Sequence, residues 1–224
     1  MSFYSYSNKT KKIKTPIFTE TSQVRLLQRR FKLTGTTGPL LQQAMNDAKW
    51  LHIGNGRNHY DFKVYSFGEV GSLVSGELMN EIVKGLDEMI TKSQLKFDYL
   101  VSQRYGARWA FLVGAKRNAK VLFISERPRR LMPQLDKWGE HSIDLRTRLY
   151  RRKVYFRNVK ANDKAIIIDD VISAGRTVNL IIEAFRKLNV QVLGVFCIVA
   201  KGEGYKSVEE KGVSVWYLAH ELYV

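Results

Sequence analysis

The chain has little of what would stabilise a secreted or membrane protein: one cysteine, four prolines and no long hydrophobic run in 224 residues. A single cysteine excludes an internal disulfide, and Cys197 lies in the apolar run 192–199, so we expect a buried strand thiol in a reducing compartment. No stretch approaches the roughly 18 uncharged residues that a membrane span needs, and the basic N-terminus lacks a signal-peptide core. We therefore expect a soluble, cytoplasmic protein without a membrane partner.

Acidic residues are also scarce, 21 against 37 basic ones, which leaves a net charge of +16. The excess lies in two segments: residues 1–32 have eight basic side chains and one acidic, and residues 127–158 have ten and three. The rest of the chain is close to neutral. Such clustering is typical of proteins that bind a polyanion, and these two segments are therefore candidate nucleic-acid contacts. A solvated surface is an equal alternative, because neither segment has a recognised DNA- or RNA-binding motif.

One motif, residues 165–177 with the sequence AIIIDDVISAGRT, carries the strongest functional signal. Its first four residues are apolar and three are β-branched, a pattern typical of a strand buried on both faces. Asp169 and Asp170 then lie at the carboxyl end of that strand. Paired carboxylates suit vicinal hydroxyl groups, because a carboxylate accepts two hydrogen bonds side by side.

The small and hydroxyl residues that follow the aspartates predict a phosphate site. Residues 178–187 have the apolar spacing of an amphipathic helix. The backbone N–H groups of residues 173–177 can therefore converge at a helix N-terminus, where unpaired donors and the helix dipole favour a phosphate. Together with the carboxylates, this turn indicates a ribose 5-phosphate ligand. The alternative is an aspartate pair that only caps the next helix.

Strands alternate with helices from residue 97 onward, which predicts an α/β protein with a doubly wound, mainly parallel sheet. Residues 1–15 are expected to form a basic mobile arm, and residues 16–68 a small N-terminal hood of helix and hairpin. Residues 69–224 are then the α/β core, interrupted by a long basic loop at 127–158. The length of that loop favours a lid, and an interaction segment is the alternative.

The run 165–177 resembles the phosphoribosyl pyrophosphate (PRPP) signature of the type I phosphoribosyltransferases and matches its residue classes throughout. The resemblance implies that Asp169 and Asp170 bind the ribose hydroxyls. It also implies that the following turn binds the 5′-phosphate. That turn consists of Ser173, Ala174, Gly175, Arg176 and Thr177.

Residues 50–220 are most similar in their order of elements to the orotate phosphoribosyltransferases, which implies a pyrophosphate loop after the strand at 97–101. This loop contains Arg104, Tyr105 and Gly106, and it begins with Ser-Gln where the family has Gly-Pro. The same resemblance implies base-binding and loop residues. The base-binding candidates are Tyr60, Lys63 and Lys201, and the candidates for catalytic contacts beside the aspartates are Arg127, Lys137 and His141.

The resemblance implies a Mg²⁺-dependent enzyme that transfers phosphoribose from PRPP to a pyrimidine-like base, with orotate favoured, in nucleotide biosynthesis or salvage. Mg²⁺ would be held mainly by PRPP, with Asp169 and Asp170 as candidate ligands. A homodimer is expected. The alternative is a PRPP-sensing regulator that binds nucleic acid through residues 1–32 and 127–158, and the atypical pyrophosphate loop favours it.

Overall fold

The structure is a computed structural model that describes residues 31–33, 38–53, 60–68, 72–126, 141–146 and 151–222. The strands are β1 Phe31–Leu33, β2 Lys49–Ile53, β3 Tyr60–Val64, β4 Tyr99–Gln103, β5 Lys120–Glu126, β6 His141–Arg146, β7 Arg151–Phe156, β8 Lys164–Ile172, β9 Gln191–Lys201 and β10 Val215–Glu221. The helices are α1 Pro39–Asn46, α2 Gly76–Ser93, α3 Ala107–Arg117, α4 Arg176–Lys187 and α5 Lys206–Glu209, with a 3₁₀ turn at Arg104–Gly106. Among these described residues, no helix combines the length and apolar character needed to span a membrane.

A single sheet with the strand order β1-β10-β9-β8-β4-β5-β7-β6 organises the chain. The five central strands, β10 to β5 in that order, run parallel. The strands β1, β7 and β6 pair antiparallel at the two edges. The predicted doubly wound, mainly parallel sheet is confirmed. The direction of winding reverses between β4 and β8, and such switch points are where open α/β sheets bind ligands, beyond the carboxyl ends of the strands.

Both faces of the sheet are covered by helices, which explains the unbroken apolar run in β8. Ala165 and Ile167 belong to the core cluster on the face of α4. Ile166 and Ile168 belong to the cluster on the opposite face, with α2 and α3. Because neighbouring residues of a strand point to opposite faces, a strand covered on both sides must be apolar at every position.

The segment 127–158 is not one long loop, and that prediction is wrong for its described residues. Residues 141–146 and 151–156 are the strands β6 and β7, and β7 extends the main sheet beyond β5. Ile143 and Val154 are paired in this hairpin, and both are buried in the core cluster on the α4 face. The alternation of apolar residues in these two strands was obscured by the dense basic residues between them.

The predicted hood contains a separate two-stranded sheet of β2 and β3, preceded by α1. The hairpin is antiparallel, with Lys49 opposite Val64 and Ile53 opposite Tyr60. Part of the predicted hood lies in the main sheet, because β1 pairs with β10. The predicted arm, residues 1–15, lies outside the described residues.

The strands β4 and β8 separate at the switch point. Their paired register ends at Val101 and Ile167. One residue further, the Ser102 hydroxyl donates a 2.7 Å hydrogen bond to the Ile168 carbonyl oxygen. The 3₁₀ turn after β4 then lies directly against β8, where a Cβ on Gly106 would come within 2.8 Å of the Asp169 Cα and the Ile168 carbonyl oxygen.

Gly106→Ala is therefore expected to destabilise the protein by about 1–3 kcal/mol, because the added methyl group would press on backbone atoms that cannot move independently. The matched control is Gly76→Ala in the first turn of α2, where nothing lies within 4 Å of the new Cβ. That substitution should change stability by no more than about 1 kcal/mol, in the stabilising direction. Urea denaturation of both variants checks this; equal midpoints would contradict the close approach of the turn to β8.

Candidate active site

The two aspartates of the sequence motif lie at the switch point, in the carboxyl-terminal half of β8. Their exposed fractions are 6% for Asp169 and 8% for Asp170. The Asp170 backbone N–H donates a 3.1 Å hydrogen bond to Asp169 Oδ1. Two adjacent, largely buried carboxyl groups thus lie toward the carboxyl ends of the parallel strands, where open α/β sheets bind ligands.

Burial raises the pKa of both carboxyl groups. Desolvation raises the pKa of Asp170 to about 6, partly offset by backbone hydrogen bonds and the positive charge of Arg108. Desolvation and the charge of Asp170 raise the pKa of Asp169 well above its ordinary value. A ligand that donates hydrogen bonds to these oxygens, as vicinal hydroxyl groups do, would replace the lost hydration.

The raised pKa values predict that the aspartates lower stability at neutral pH. A carboxyl group whose pKa is higher in the folded than in the unfolded chain stabilises the fold below the unfolded value, 3.8, and loses that contribution as pH rises through the folded value, about 6 for Asp170. Asp170→Asn should therefore match the wild type near pH 4 and be more stable above pH 6, by about 1–3 kcal/mol. Thermal denaturation from pH 4 to 8 measures this, with Asp144→Asn on the exposed side of β6 as the control. A difference that is constant across this range would contradict the assignment.

The turn after β8 has the backbone expected of a phosphate cradle. Gly175 is the N-cap of α4 with φ +67°, a left-handed conformation that glycine adopts without strain. No side chain caps this helix, and its first turn contains no acidic residue. The first N–H groups of a twelve-residue helix therefore face outward for an anion. Ser173 and Thr177 are half-buried beside them, and Ala174 and Arg176 are exposed.

The loop that follows β9 packs against this turn. A Cβ on Gly204 would overlap the Ser173 carbonyl oxygen, and a Cβ on Gly175 would lie 2.7 Å from the Gly204 carbonyl oxygen. The Ser207 hydroxyl donates to that same carbonyl oxygen at 2.8 Å, and it accepts a 3.1 Å bond from the Asn179 side chain. The two backbones thus touch where neither has room for a side chain.

The predicted pyrophosphate loop is the 3₁₀ turn at the end of β4, next to the aspartates. Arg104 has φ 42°, an unusual conformation for a residue with a side chain. Its guanidinium carbon lies 4.7 Å from the centre of the Tyr105 ring. Gly106 is buried against β8. All three residues are thus brought to the crevice, and their contacts with pyrophosphate remain a prediction.

Two of the predicted base-binding residues lie near the end of β10. Lys201 ends β9, is 3% exposed and pairs in register with Glu221. Lys63 forms a 2.8 Å ion pair with the same Glu221, and the Tyr65 hydroxyl donates a short hydrogen bond to its second oxygen. Tyr60 begins β3, opposite Ile53. The sequence therefore missed Glu221, a fully buried carboxylate between these groups.

His141 is not brought to the aspartates. It begins β6, opposite Phe156, and its ring lies 5.5 Å from that phenyl ring. Four strand spacings separate β6 from β8, which corresponds to roughly 19 Å. The catalytic contact of His141 stays a prediction, and the structure places this residue on the strand at the edge of the sheet. Arg127 and Lys137 lie outside the described residues.

Gly68 is a second residue that the sequence did not single out. A Cβ on Gly68 would lie 3.0 Å from Asp170 Oδ2, so the hood approaches the aspartates by its backbone. The turn is closed by a 3.0 Å hydrogen bond from the Gly68 N–H to the Tyr65 carbonyl oxygen. A glycine directly after a predicted hairpin was the available signal.

The donor set fits a Mg²⁺ ion that is shared with a substrate. Among the described residues, no group of three or more acidic, histidine or cysteine side chains could hold a metal without other ligands. Asp169 and Asp170 provide two carboxyl groups, and Mg²⁺ is commonly bound by one or two carboxylates together with substrate phosphates. These two residues would therefore hold the ion, alongside a phosphorylated ligand.

Comparison with known proteins relates this crevice to a family. Residues 156–221, which contain β8 to β10, match the family model of the phosphoribosyl transferase domain. The hypoxanthine/guanine phosphoribosyltransferase of Methanobrevibacter ruminantium is 28% identical over 156 residues, which cover 69% of this chain and 79% of that protein.

Solved adenine phosphoribosyltransferases share the fold. The enzyme of Leishmania tarentolae superposes with a TM-score of 0.60 at 15% identity, over 84% of this chain and 94% of that chain. The Saccharomyces cerevisiae enzyme gives a TM-score of 0.60 at 12% identity, over 80% and 97%. Identities this low relate the folds and carry no assignment of substrate. The crevice with the aspartate pair lies at the end of a strand within the segment that matches the family model.

Proposed function

We propose that this chain, which has the type I phosphoribosyltransferase fold and contains a phosphoribosyl transferase domain, transfers phosphoribose from PRPP to a purine base and releases pyrophosphate. The observation that carries the proposal is the juxtaposition, at one switch point, of a buried carboxylate pair and an uncapped helix N-terminus after a left-handed glycine. A ribose 5-phosphate has vicinal hydroxyls, which suit the carboxylate pair, and a phosphate, which suits the helix N-terminus.

The reaction breaks the bond between the anomeric carbon and pyrophosphate, so positive charge grows on the ribose ring as it does in glycoside hydrolysis. Asp169 and Asp170 orient the ribose through its hydroxyls and place negative charge near that ring. The N–H groups at the start of α4 hold the 5′-phosphate. When bound, Mg²⁺ supplies charge neutralisation for pyrophosphate. The turn at Gly68 lies against the Asp170 carboxylate and so forms one wall of the crevice.

A purine acceptor replaces the orotate that the sequence favoured. The relatives and solved structures reported above are named for hypoxanthine, guanine or adenine. The base-binding candidate Lys201 has an ammonium group, which lacks the bidentate fork by which an arginine would suit the planar carboxylate of orotate. A lysine can instead donate a single hydrogen bond to a carbonyl oxygen, as a 6-oxopurine provides. We therefore propose guanine or hypoxanthine as the base, in purine salvage.

Pyrophosphate release tests this proposal. With PRPP and Mg²⁺, guanine or hypoxanthine should support release and orotate should not. Asp169→Asn/Asp170→Asn should abolish turnover and weaken PRPP binding, since each charge-assisted hydrogen bond contributes roughly 1.5–3 kcal/mol. Calorimetry with PRPP measures the binding, and Glu183→Gln on the exposed side of α4 should leave it unchanged. The proposal fails if PRPP binds both variants equally, and the choice of base fails if orotate alone supports turnover.

A regulator that binds nucleic acid is the second candidate, and the hairpin of β6 and β7 favours it. Its register places Arg146 opposite Arg151, and the next pair along the same face is Asp144 and Lys153. The hairpin thus places basic residues of the segment 127–158 together at one edge of the main sheet, and a polyanion such as RNA is attracted to clustered basic residues. The homodimer expected from the sequence also remains a prediction.

Salt dependence distinguishes this candidate from a solvated surface. If the hairpin contacts phosphates, affinity for a single-stranded RNA must fall steeply with salt, and Arg146→Gln/Arg151→Gln should reduce the slope of log affinity against log salt by about 1.4. Lys84→Gln/Lys92→Gln on the exposed side of α2 makes the same change in charge and should leave the slope unaltered. Fluorescence anisotropy measures both. Deleting residues 1–15 should also lower the affinity and leave PRPP binding intact. No binding to RNA or DNA at low salt would exclude the candidate.

A further inference from the structure

A buried cluster of charged and polar side chains joins β3 and the turn after it to the end of β10. Glu221 is fully buried at the end of β10, and Lys63 of β3 is 5% exposed. Lys63 Nζ lies 2.8 Å from Glu221 Oε1, and the Tyr65 hydroxyl donates to Glu221 Oε2. The ammonium group also lies 5.4 Å from the centre of the Tyr65 ring. Both donors come from the hood and converge on one carboxylate of the core.

On the hood side, this cluster leads directly to the aspartates. Tyr65 begins the turn that ends at Gly68, and its ring stacks on Phe67 at 5.1 Å. Phe67 is fully buried in the core cluster on the α2 face. Gly68 then lies against Asp170 Oδ2. Only two residues, Ser66 and Phe67, therefore separate the side chain that binds Glu221 from the backbone that lies against Asp170.

On the core side, the backbone of Glu221 leads to the phosphate turn. Its carbonyl oxygen accepts a 2.7 Å hydrogen bond from the Gly202 N–H. The Gly202 carbonyl oxygen is 2.8 Å from His220 Nε2, so the start of this loop is held twice. Two residues later, Gly204 packs against Ser173 in the phosphate turn. Glu221 thus contacts the hood by its side chain, and its backbone contacts the loop after β9 that packs against the phosphate turn.

We propose that Glu221, held by Lys63 and Tyr65, is a positioning residue that sets the distance between the hood turn over the aspartates and the loop behind the phosphate turn. The inference rests on the proposed function, because the ligand whose two ends it aligns is PRPP. It assigns Lys63 to Glu221 in place of the direct base contact that the sequence suggested. A buried ion pair adds little to stability compared with apolar groups of the same volume, whereas its geometry is specific.

The test uses two variants of the full chain. Lys63→Met/Glu221→Gln removes one positive and one negative charge together, so the net charge of the cluster is unchanged, and the amide oxygen can still accept from Tyr65. Its dissociation constant for PRPP should rise about tenfold or more, as expected when a group that aligns the ligand is displaced. Tyr65→Phe keeps the ion pair and the ring stack, and it should give a smaller rise in the same direction.

Calorimetry separates a positioning role from a structural one. A purely structural role would lower the fraction of protein that binds, which reduces the stoichiometry and leaves the dissociation constant of the folded protein unchanged. Hydrogen exchange provides a second readout: the peptides around 65–68 and 202–205 should exchange faster, and β8 and β9 should be unaffected. Glu183→Gln/Lys211→Met removes an exposed ion pair of 2.7 Å and should change neither readout.

Two results would overturn the inference, and they are distinguishable. If the wild type binds PRPP and both variants bind it equally well, Glu221 does not position the site. If the wild type itself does not bind PRPP, the proposed function fails and the inference fails with it. Should the double variant not fold, Tyr65→Phe alone decides, because a hydroxyl deletion with an unchanged dissociation constant contradicts the role assigned to the cluster.

Discussion

The burial of two adjacent carboxyl groups at the end of β8 is the constraint on which the rest of the site depends. Desolvation raises the pKa of both groups, so the folded chain must hold them in place against a force that favours hydration or protonation. The surrounding strands supply the restraint that opposes hydration of the aspartates. β8 is covered on both faces by apolar clusters, and its central position in the sheet prevents the aspartates from moving toward water.

Backbone atoms, more than side chains, form the walls around this pair. Gly106 approaches β8, Gly68 approaches Asp170, and Gly204 approaches the phosphate turn. At Gly106 and Gly204 a Cβ would collide with backbone atoms, and at Gly68 it would lie 3.0 Å from the Asp170 carboxylate, so three segments that are distant in the chain pack closely around the aspartates and the turn after them. A site built in this way presents N–H groups to phosphates and keeps its shape, because backbone segments within a packed fold have few alternative positions. The cost is that substitutions of these glycines act on stability and binding together.

The parts of the site that the sequence predicted are local in the chain. Strand, aspartates, turn and helix occur in unbroken order at residues 165–187, and each has its own signal: apolar run, acidic pair, small residues, helical spacing. The fold class followed from the alternation of strands and helices for the same reason. The prediction failed where pairing is distant. The segment at 127–158 contains two strands because β7 pairs with β5, the last of the parallel strands, and β6 pairs with β7.

The sequence by itself determined the local unit on which the proposed site rests, a carboxylate pair followed by a small-residue turn, since thirteen consecutive residues fold as strand, turn and helix start. Only the tertiary structure decided what surrounds that unit. Glu221 meets Lys63, a separation of 158 residues, and Ser102 meets Ile168 across the switch point. Such contacts depend on strand order and register, which arise from the burial of all the apolar faces at once and have no signature in any single segment.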